Sequence, residues 1–398
     1  MKVLLAHNYY QQPGGEDQVF LAEGTLLEDH GHDVVRYVSH NDEINHLTRF
    51  SLAKKTIWNF TSYVDLLNLM RKDVPDIIHV HNTLPLISPS IYDAAWKLDI
   101  PVVQTLHNYR NLCPAATLYR DGHICNDCIG KTLPWPAVWH GCYRQNRFQT
   151  AGITAKLMVH KIKGTYKDKI TQYICMTRFS RDKYVEGGFP PDKISVKPHF
   201  LSRDPGPGDG KGDFALFVGR LAPEKGVSTL LDAWEIMDGL MPLKVIGDGP
   251  MAPYVKEKTN GMKQVDWLGQ CSKDTVLHLM GKASVLIVPS DCYETFGLVV
   301  IEAFSNGTPV IVSDIGSLAE LVDHQRTGLK FIPGNADDLA VKVKWLLSNQ
   351  SMQAQMRTNA RAEFEAKYTS EINYYELIGI YKKAIEENRR KKKPAKTK

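Results

Sequence analysis

The sequence predicts an α/β protein built from two Rossmann-like, doubly wound domains. Three observations carry that expectation. The chain opens on a strand, a glycine-containing loop, a helix and a second strand, the unit from which parallel sheets are made. A run of glycine, proline and charge at residues 202–212 interrupts the pattern, which then restarts at Phe214. The length of 398 residues and the 43% hydrophobic content suffice for two sizeable cores. The expected boundaries are 1–200 for the first domain, 201–213 for a linker and 214–370 for the second domain. A closing amphipathic helix is expected at 371–388 and a disordered basic tail at 389–398.

In the first domain, residues 3–6 form the opening strand. Gly14 and Gly15 follow in the loop, where glycine lets a ligand approach the backbone; a plain turn is the competing reading. Val19, Ala22, Leu26 and Leu27 keep helical spacing up to Gly31, and residues 34–38 form the next strand. Residues 76–81 and 102–106 are further strands, the first containing His79 and His81, the second followed by His107. Ligands bind at the carboxyl edge of such sheets, although a single histidine there is more often a structural hydrogen-bonder. Residues 112–147 break the rhythm as a long insertion. Residues 150–170 then read as a helix with Lys156, His160, Lys161 and Lys163 beside Ile153, Leu157 and Ile162. Such a helix suits an anionic membrane surface or a solvated face. Strands at 172–176 and 194–197 close the domain.

In the second domain, the strand at 214–218 leads into Gly219-Arg220-Leu221-Ala222-Pro223-Glu224-Lys225-Gly226. Arg220 can hold phosphate through two nitrogens, and Lys225 adds a point charge at a helix start. The glycine spacing is not that of a Walker loop. Residues 243–246 are a strand followed by Gly247-Asp248-Gly249-Pro250, and 265–268 another. The β-branched run 283–288 ends at Pro289-Ser290. A loop with Glu294 follows, then a helical pattern from Gly297 to Phe304 containing Glu302, a stop at Asn306-Gly307, and a strand at 308–312.

The two glutamates pose different problems. Glu302 lies in an otherwise apolar helix, and a buried carboxylate needs a partner. Glu294 lies in a loop at the carboxyl end of a strand. Between them Phe296, Gly297 and Leu298 make a helix N-terminus, whose amides and dipole suit a phosphate. A sugar at Glu294, a diphosphate at the helix start and a ribose at Glu302 satisfy all three; a surface glutamate and a lysine-paired helical glutamate are the bland alternative.

The block from Glu294-Thr295-Phe296-Gly297-Leu298 to Ser313-Asp314, with Gly219-Arg220 and Glu224-Lys225-Gly226, resembles the donor site of retaining glycosyltransferases of family 4, which have the GT-B fold. The resemblance implies two Rossmann-like domains facing a cleft, the last helix crossing back to the first domain. It implies sugar contact at Glu294, ribose contact at Glu302, and diphosphate contact at Arg220 and Lys225. Gly219 and Gly247 would shape the nucleotide cleft, Gly14 and Gly15 would face the donor phosphates and acceptor, and His107 would lie near the transferred sugar. The reaction implied is sugar transfer to an acceptor hydroxyl with retention, in bacterial surface polysaccharide or glycolipid synthesis. UDP-sugars are the first expected donors and GDP-mannose the second; the acceptor is a carbohydrate or lipid-linked. No Asp-x-Asp triplet occurs, so no catalytic metal or other cofactor is implied. A GT-B epimerase or phosphorylase, and a catalytically inactive nucleotide-sugar-binding subunit, are the alternatives.

The formal charge of +5 resides in the tail, where seven of the last ten residues are Lys or Arg, so the remaining chain is slightly acidic. That tail suits anionic lipid or simple solvation, and nucleic acid is not an expected partner. No apolar run reaches membrane-spanning length, and a cytoplasmic protein, placed at the inner face of the plasma membrane, is expected. Seven unevenly spaced cysteines are not a secreted disulfide framework. Cys125 and Cys128 have the spacing of a zinc knuckle, and Cys113 and Cys142 flank them; a structural zinc site competes here with a redox pair and with four plain thiols.

Overall fold

A computed structural model describes residues 1–12 and 14–392, in which the chain divides into two compact units. The first holds residues 1–118, 125–198 and the described residues from 373 onward; the second holds 119–124 and 199–372. The strands in chain order are β1 (Lys2–Tyr9), β2 (Asp33–His40), β3 (Ile77–Val80), β4 (Val102–Thr105), a short antiparallel pair β5 (Tyr119–Arg120) and β6 (His123–Ile124), β7 (Gln172–Cys175) and β8 (Ile194–Val196). The first unit's parallel sheet runs β2-β1-β3-β4-β7-β8. In the second unit, β9 (Gly212–Val218), β10 (Leu243–Ile246), β11 (Val265–Trp267), β12 (Ala283–Val288), β13 (Val310–Ser313) and β14 (Gly328–Phe331) run β11-β10-β9-β12-β13-β14, also parallel.

Burial explains the strand composition. Every residue of β12, Ala-Ser-Val-Leu-Ile-Val, is buried, as a central strand covered on both faces requires. Edge strand β2 instead alternates between exposed and half-buried positions. In the first unit Val3, Leu5, Phe20, Ile77, Val103 and Ile174 form a core with Leu377, Ile380, Tyr381 and Ala384 of the last helix, Ser370–Lys392. In the second unit Trp234, fully buried, anchors a core with Leu230, Leu243, Val285, Ile311 and Phe331. Each sheet order reverses once, between β1 and β3 and between β9 and β12, and loops leaving such a pair of strands diverge to leave a crevice.

Three expectations change. Residues 201–213 are not a free linker: Leu201 N–H bonds to Tyr368 O (3.2 Å), Arg361 grips Asp204 (2.6 Å), and Gly208 and Gly210 amides bond to Asn306 O and Gly281 O (both 2.9 Å). Their glycines permit close backbone contact where composition suggests slack. The last helix does not stop at 388. It continues through Lys392, with Arg390 reaching Glu386 one turn back (2.5 Å), so only residues 393–398 of the basic tail lie outside the described residues. The helix Arg147–Ile162 is not basic along one open face, because Lys156 and His160 are buried and Lys161 bonds to the carbonyls of Gly130 and Lys131.

Candidate active site

The second unit's site is built by the loops after β9 and β12, which leave the sheet at its reversal point. They touch backbone to backbone. Gly226 has a φ of 65°, and a Cβ there would lie 1.8 Å from Pro289 O, so no other residue fits. Asp291 N–H donates to Glu224 O at 3.0 Å. The third loop, after β10, is clamped on the other side. Gly247 has a φ of 140°, and its Cβ would meet Gly219 O at 1.9 Å, while Gly219 N–H donates to Ile246 O (3.0 Å). Gly219 and Gly247 therefore shape the floor of the site through each other.

On this floor Lys225 Nζ lies 2.6 Å from Glu294 Oε1, which also accepts from Ser290 Oγ at 2.8 Å. Burial disfavours both charges, but each offsets the other's cost. Lys225 is held above its ordinary pKa and Glu294 below its own, so both stay ionised. Arg220 pairs with Glu224 at 2.5 Å and remains well exposed. The helix Leu298–Ser305 begins at Gly297, whose φ of 119° turns the chain sharply and leaves the first amides at the helix end. Leu298 is half-buried at this end, whereas the Phe296 ring packs edge-on against His199 and Tyr368, leaving only backbone for a ligand. Glu302 is buried and pairs with Lys273 of the neighbouring helix Lys273–Lys282, which is the bland partner weighed for it. The group thus offers two cations, a carboxylate and a helix start, a set suited to an anionic diphosphate and a polyhydroxylated substituent.

In the first unit the polar groups interlock. Gly14 N-caps the helix Gly15–Asp29, its N–H donating to Asp17 Oδ2 (2.7 Å), and Asp17 Oδ1 meets His7 Nε2 at 2.6 Å. His107, in the loop after β4, meets His81 Nδ1 through its Nε2 at 3.0 Å, the rings stacking at 5.1 Å. His81 Nε2 faces Glu23 Oε2 at 3.4 Å, and Glu23 Oε1 binds the buried Lys197 at 2.8 Å. His79 Nδ1 bonds to Tyr381 Oη and its Nε2 to Thr105 Oγ1, both at 2.8 Å. Among the described residues, Glu23, His79 and His81 could geometrically share a metal ion. The Lys197 ammonium already supplies the positive charge there, so they are a poor cation site. A cavity of about 30 Å³ beside His107 is lined by Arg110 and by Lys156, whose burial, with Arg110 nearby, lowers its pKa to about 7. Sequence reasoning passed over Glu23, Lys197 and Asp17. Glu23 carried a signal, because it interrupts the apolar stripe of Val19, Leu26 and Leu27 just as Glu302 interrupts its helix.

Two parallel sheets, each with a single reversal point and one of them bearing a cation–carboxylate pair at a helix start, define a two-unit Rossmann-like protein. The comparisons name the family. Glycosyltransferase Family 4 matches residues 13–204, and Glycosyl transferases group 1 matches residues 201–363. The chain belongs to this glycosyltransferase family. An uncharacterized glycosyltransferase of Methanocaldococcus jannaschii is 34% identical over 176 residues, 43% of this chain and 45% of that protein. A second from the same organism is 30% identical over 230 residues, 55% of this chain and 63% of that protein. The chain thus spans about half the length of the curated relatives it matches. In structure it resembles HepE of Anabaena in complex with UDP, with a TM-score of 0.68 at 17% identity over 95% of this chain and 99% of that one. It also resembles sucrose-phosphate synthase of Thermosynechococcus elongatus, with a TM-score of 0.66 at 17% identity over 97% and 99%. Those likenesses show the GT-B fold.

Proposed function

We propose that this protein is a retaining hexosyltransferase that moves a sugar from a nucleoside-diphosphate donor to an acceptor hydroxyl. The carrying observation is the Lys225–Glu294 pair beside the Gly297 helix start. In this reading the second unit holds the donor. Lys225, Arg220 and the helix amides oppose the charge that grows on the departing diphosphate, which is electrostatic catalysis by groups already in place. Glu294 accepts hydrogen bonds from sugar hydroxyls, and Ser290 fixes its rotamer. Glu302 receives the ribose by sharing its carboxylate with Lys273. The acceptor proton leaves on a diphosphate oxygen, so no protein nucleophile is needed. His107, steadied by His81, and Gly14 and Gly15 in the opening loop are the first unit's candidates for substrate contact.

UDP-sugars are the first donors to test, in line with the UDP and UDP-glucose complexes of HepE, and GDP-mannose is the second. A carbohydrate or lipid-linked acceptor and a role in surface polysaccharide or glycolipid synthesis follow from the same reading. No helix among the described residues is long and apolar enough to cross a membrane. Contact with an anionic bilayer, at the inner face of the plasma membrane, is supported by a surface where Leu133, Trp135, Trp139 and Phe148 are exposed beside Arg144 and Arg147. Flotation with anionic vesicles tests it, Trp139→Ala and Phe148→Ala together being expected to release the protein.

The central test is a panel of nucleotide sugars read by thermal stabilisation, followed by turnover with the stabilising donor and the anomeric configuration of the product. Glu294→Gln is expected to keep nucleotide affinity and lose most turnover. An inverted product removes the retaining assignment. A donor that binds but is neither transferred nor slowly hydrolysed makes the protein a binding subunit.

A further inference from the structure

Lys156 is a charge in the first unit that the fold leaves unanswered. It lies on the helix Arg147–Ile162 and is 3% exposed. Among the described residues no hydrogen bond or ion pair engages its ammonium. Lys197, just as deeply buried, instead binds Glu23 and Asn373 at 2.8 and 3.0 Å. A lysine taken out of water without a partner destabilises the fold, and an apolar side chain would serve packing better.

Lys156 lines a cavity of about 30 Å³ together with His81, Gln104, His107 and Arg110. The cavity lies at the carboxyl ends of β3 and β4, the edge at which parallel sheets place ligands. Two of its other lining residues also carry a buried polar atom without a hydrogen-bond partner, Gln104 Oε1 and Arg110 Nε. Glu16 is the acidic neighbour of Arg110, with Tyr10 and Tyr143 beside it, and Asn108 holds that carboxylate at 3.1 Å. Lys156 has only like charge nearby. Its neighbours are Arg110 and, one turn on, His160, whose ring nitrogens are both bonded, to Thr165 and Ile57.

We propose that Lys156 and Arg110 bind the carboxylate of an acidic sugar in this cavity. The acceptor is then a uronic acid or another carboxylated sugar, an assignment that rests on the hexosyltransferase reading above. The space holds roughly two or three water-sized groups, which fits a carboxylate and is short for a phosphate. The incoming carboxylate gives the buried ammonium the partner it lacks, and Gln104 Oε1 can accept from a hydroxyl of the same ring. A neutral sugar brings no charge and leaves Lys156 unmet, so the site selects against it. His107 lines the same cavity, which places recognition of the acid beside a candidate substrate contact.

The test uses the full chain, with glucuronate as the probe and glucose and glucose 6-phosphate as controls. Isothermal titration is expected to show glucuronate binding at least tenfold tighter than either control. Burial beside Arg110 lowers the Lys156 pKa to about 7, so the empty site is largely neutral at pH 8 and the filled site is charged. Binding at pH 8 should therefore take up close to one proton, read in buffers of different ionisation enthalpy. Affinity should fall about tenfold from pH 8 to 9, above an ordinary histidine's range. Lys156→Met should lose glucuronate, keep UDP and raise the melting temperature, while Lys225→Ala should lose UDP and keep glucuronate. The wild-type proton uptake decides without any variant. Failure of every nucleotide to bind would remove the hexosyltransferase reading and leave the glucuronate result standing. Intact nucleotide binding with glucuronate no tighter than glucose overturns the subsite. So does a Lys156→Met protein that still binds glucuronate, or one that melts below the parent and so makes the lysine structural. Tighter binding of glucose 6-phosphate overturns the carboxylate. A Lys156-dependent preference for UDP-glucuronate over UDP-glucose puts the acid on the donor and overturns its assignment to the acceptor.

Discussion

The two units place polar residues at the same position in the same kind of sheet, yet treat them oppositely. After β9 and β12, Lys225 and Glu294 form a recessed pair with 29% and 18% of their side chains accessible. In the first unit, on and beyond β1, β3 and β8, the charges are sealed: Glu23 and Lys197 are wholly buried, and His79 and His81 with them. The first arrangement keeps ions solvated enough to trade partners with a ligand. The second has already traded water for protein and cannot release a partner without a large cost. Chemistry should therefore fail first when the second unit's charges are changed, and folding when the first unit's are.

The largest effect expected lies in the first unit. Glu23→Ala leaves the Lys197 ammonium buried without its carboxylate, a loss on the order of 3–5 kcal/mol in stability. Urea denaturation followed by a signal from the first unit measures it. Replacing both partners together, Glu23→Leu with Lys197→Met, should recover most of that loss. A single variant as stable as the parent would erase the contrast between the units.

Next comes Lys225→Ala, which should lower turnover by about 10²- to 10³-fold, the usual cost of one preorganised charge-stabilising donor. Affinity for the nucleoside diphosphate should fall more than for the bare nucleoside, and the melting temperature should barely move. Arg220→Ala should act in the same direction and less, because its side chain is 59% exposed. Equal losses for both ligands would place these cations away from the phosphates.

Much of this contrast was legible in the sequence, and unevenly. The second unit announces itself because its site is local. Gly219 to Gly226 and Ser290 to Glu302 are contiguous blocks, and their glycines and charges sit beside the strands they follow. The strands were legible too, since a doubly covered strand is a solid apolar run, as in β12. Edge strand β14, Gly-Leu-Lys-Phe, was missed because four residues carry no clear period. The first unit's network was illegible for a different reason: its members are far apart. Glu23, His81, His107 and Lys197 come from four separate elements, and only the sheet order brings them together. Lys156 misled because a lysine in a basic helix reads as exposed, and only the fold turns it inward.

Glu302 sharpens the comparison, since it is buried like the first unit's charges but lies in the second. Glu302→Gln should weaken nucleotide binding by roughly 1.5–3 kcal/mol, the worth of a charged hydrogen bond, which isothermal titration reads directly. Lys273→Met supplies the control. If Glu302→Gln lowers the melting temperature as Lys273→Met does while nucleotide affinity stays put, the ion pair is its whole role.

The gentlest perturbation is a change of pH, and it separates the units without any change of sequence. His79 has both ring nitrogens engaged, by Tyr381 and by Thr105, and burial lowers its pKa to about 4 from an ordinary 6.5. Glu23 pulls that value up and Lys197 pushes it down, but burial dominates. The folded protein therefore keeps His79 neutral where the unfolded chain binds a proton. Stability from this group is complete above pH 6.5 and is lost as pH falls from 6.5 towards 4, by at most about 1.4 kcal/mol per pH unit. His160, bonded to Thr165 and Ile57 and also lowered to about 4, adds a second proton with the same sign. His79→Asn should flatten the slope by about one proton in denaturation curves taken across that window. Glu294 is held below its ordinary value, and Lys225 stays charged throughout, so nucleotide binding between pH 6.5 and 5 should hold while the first unit weakens. Binding that falls in step with first-unit stability would mean that the two sets of charges are not independent.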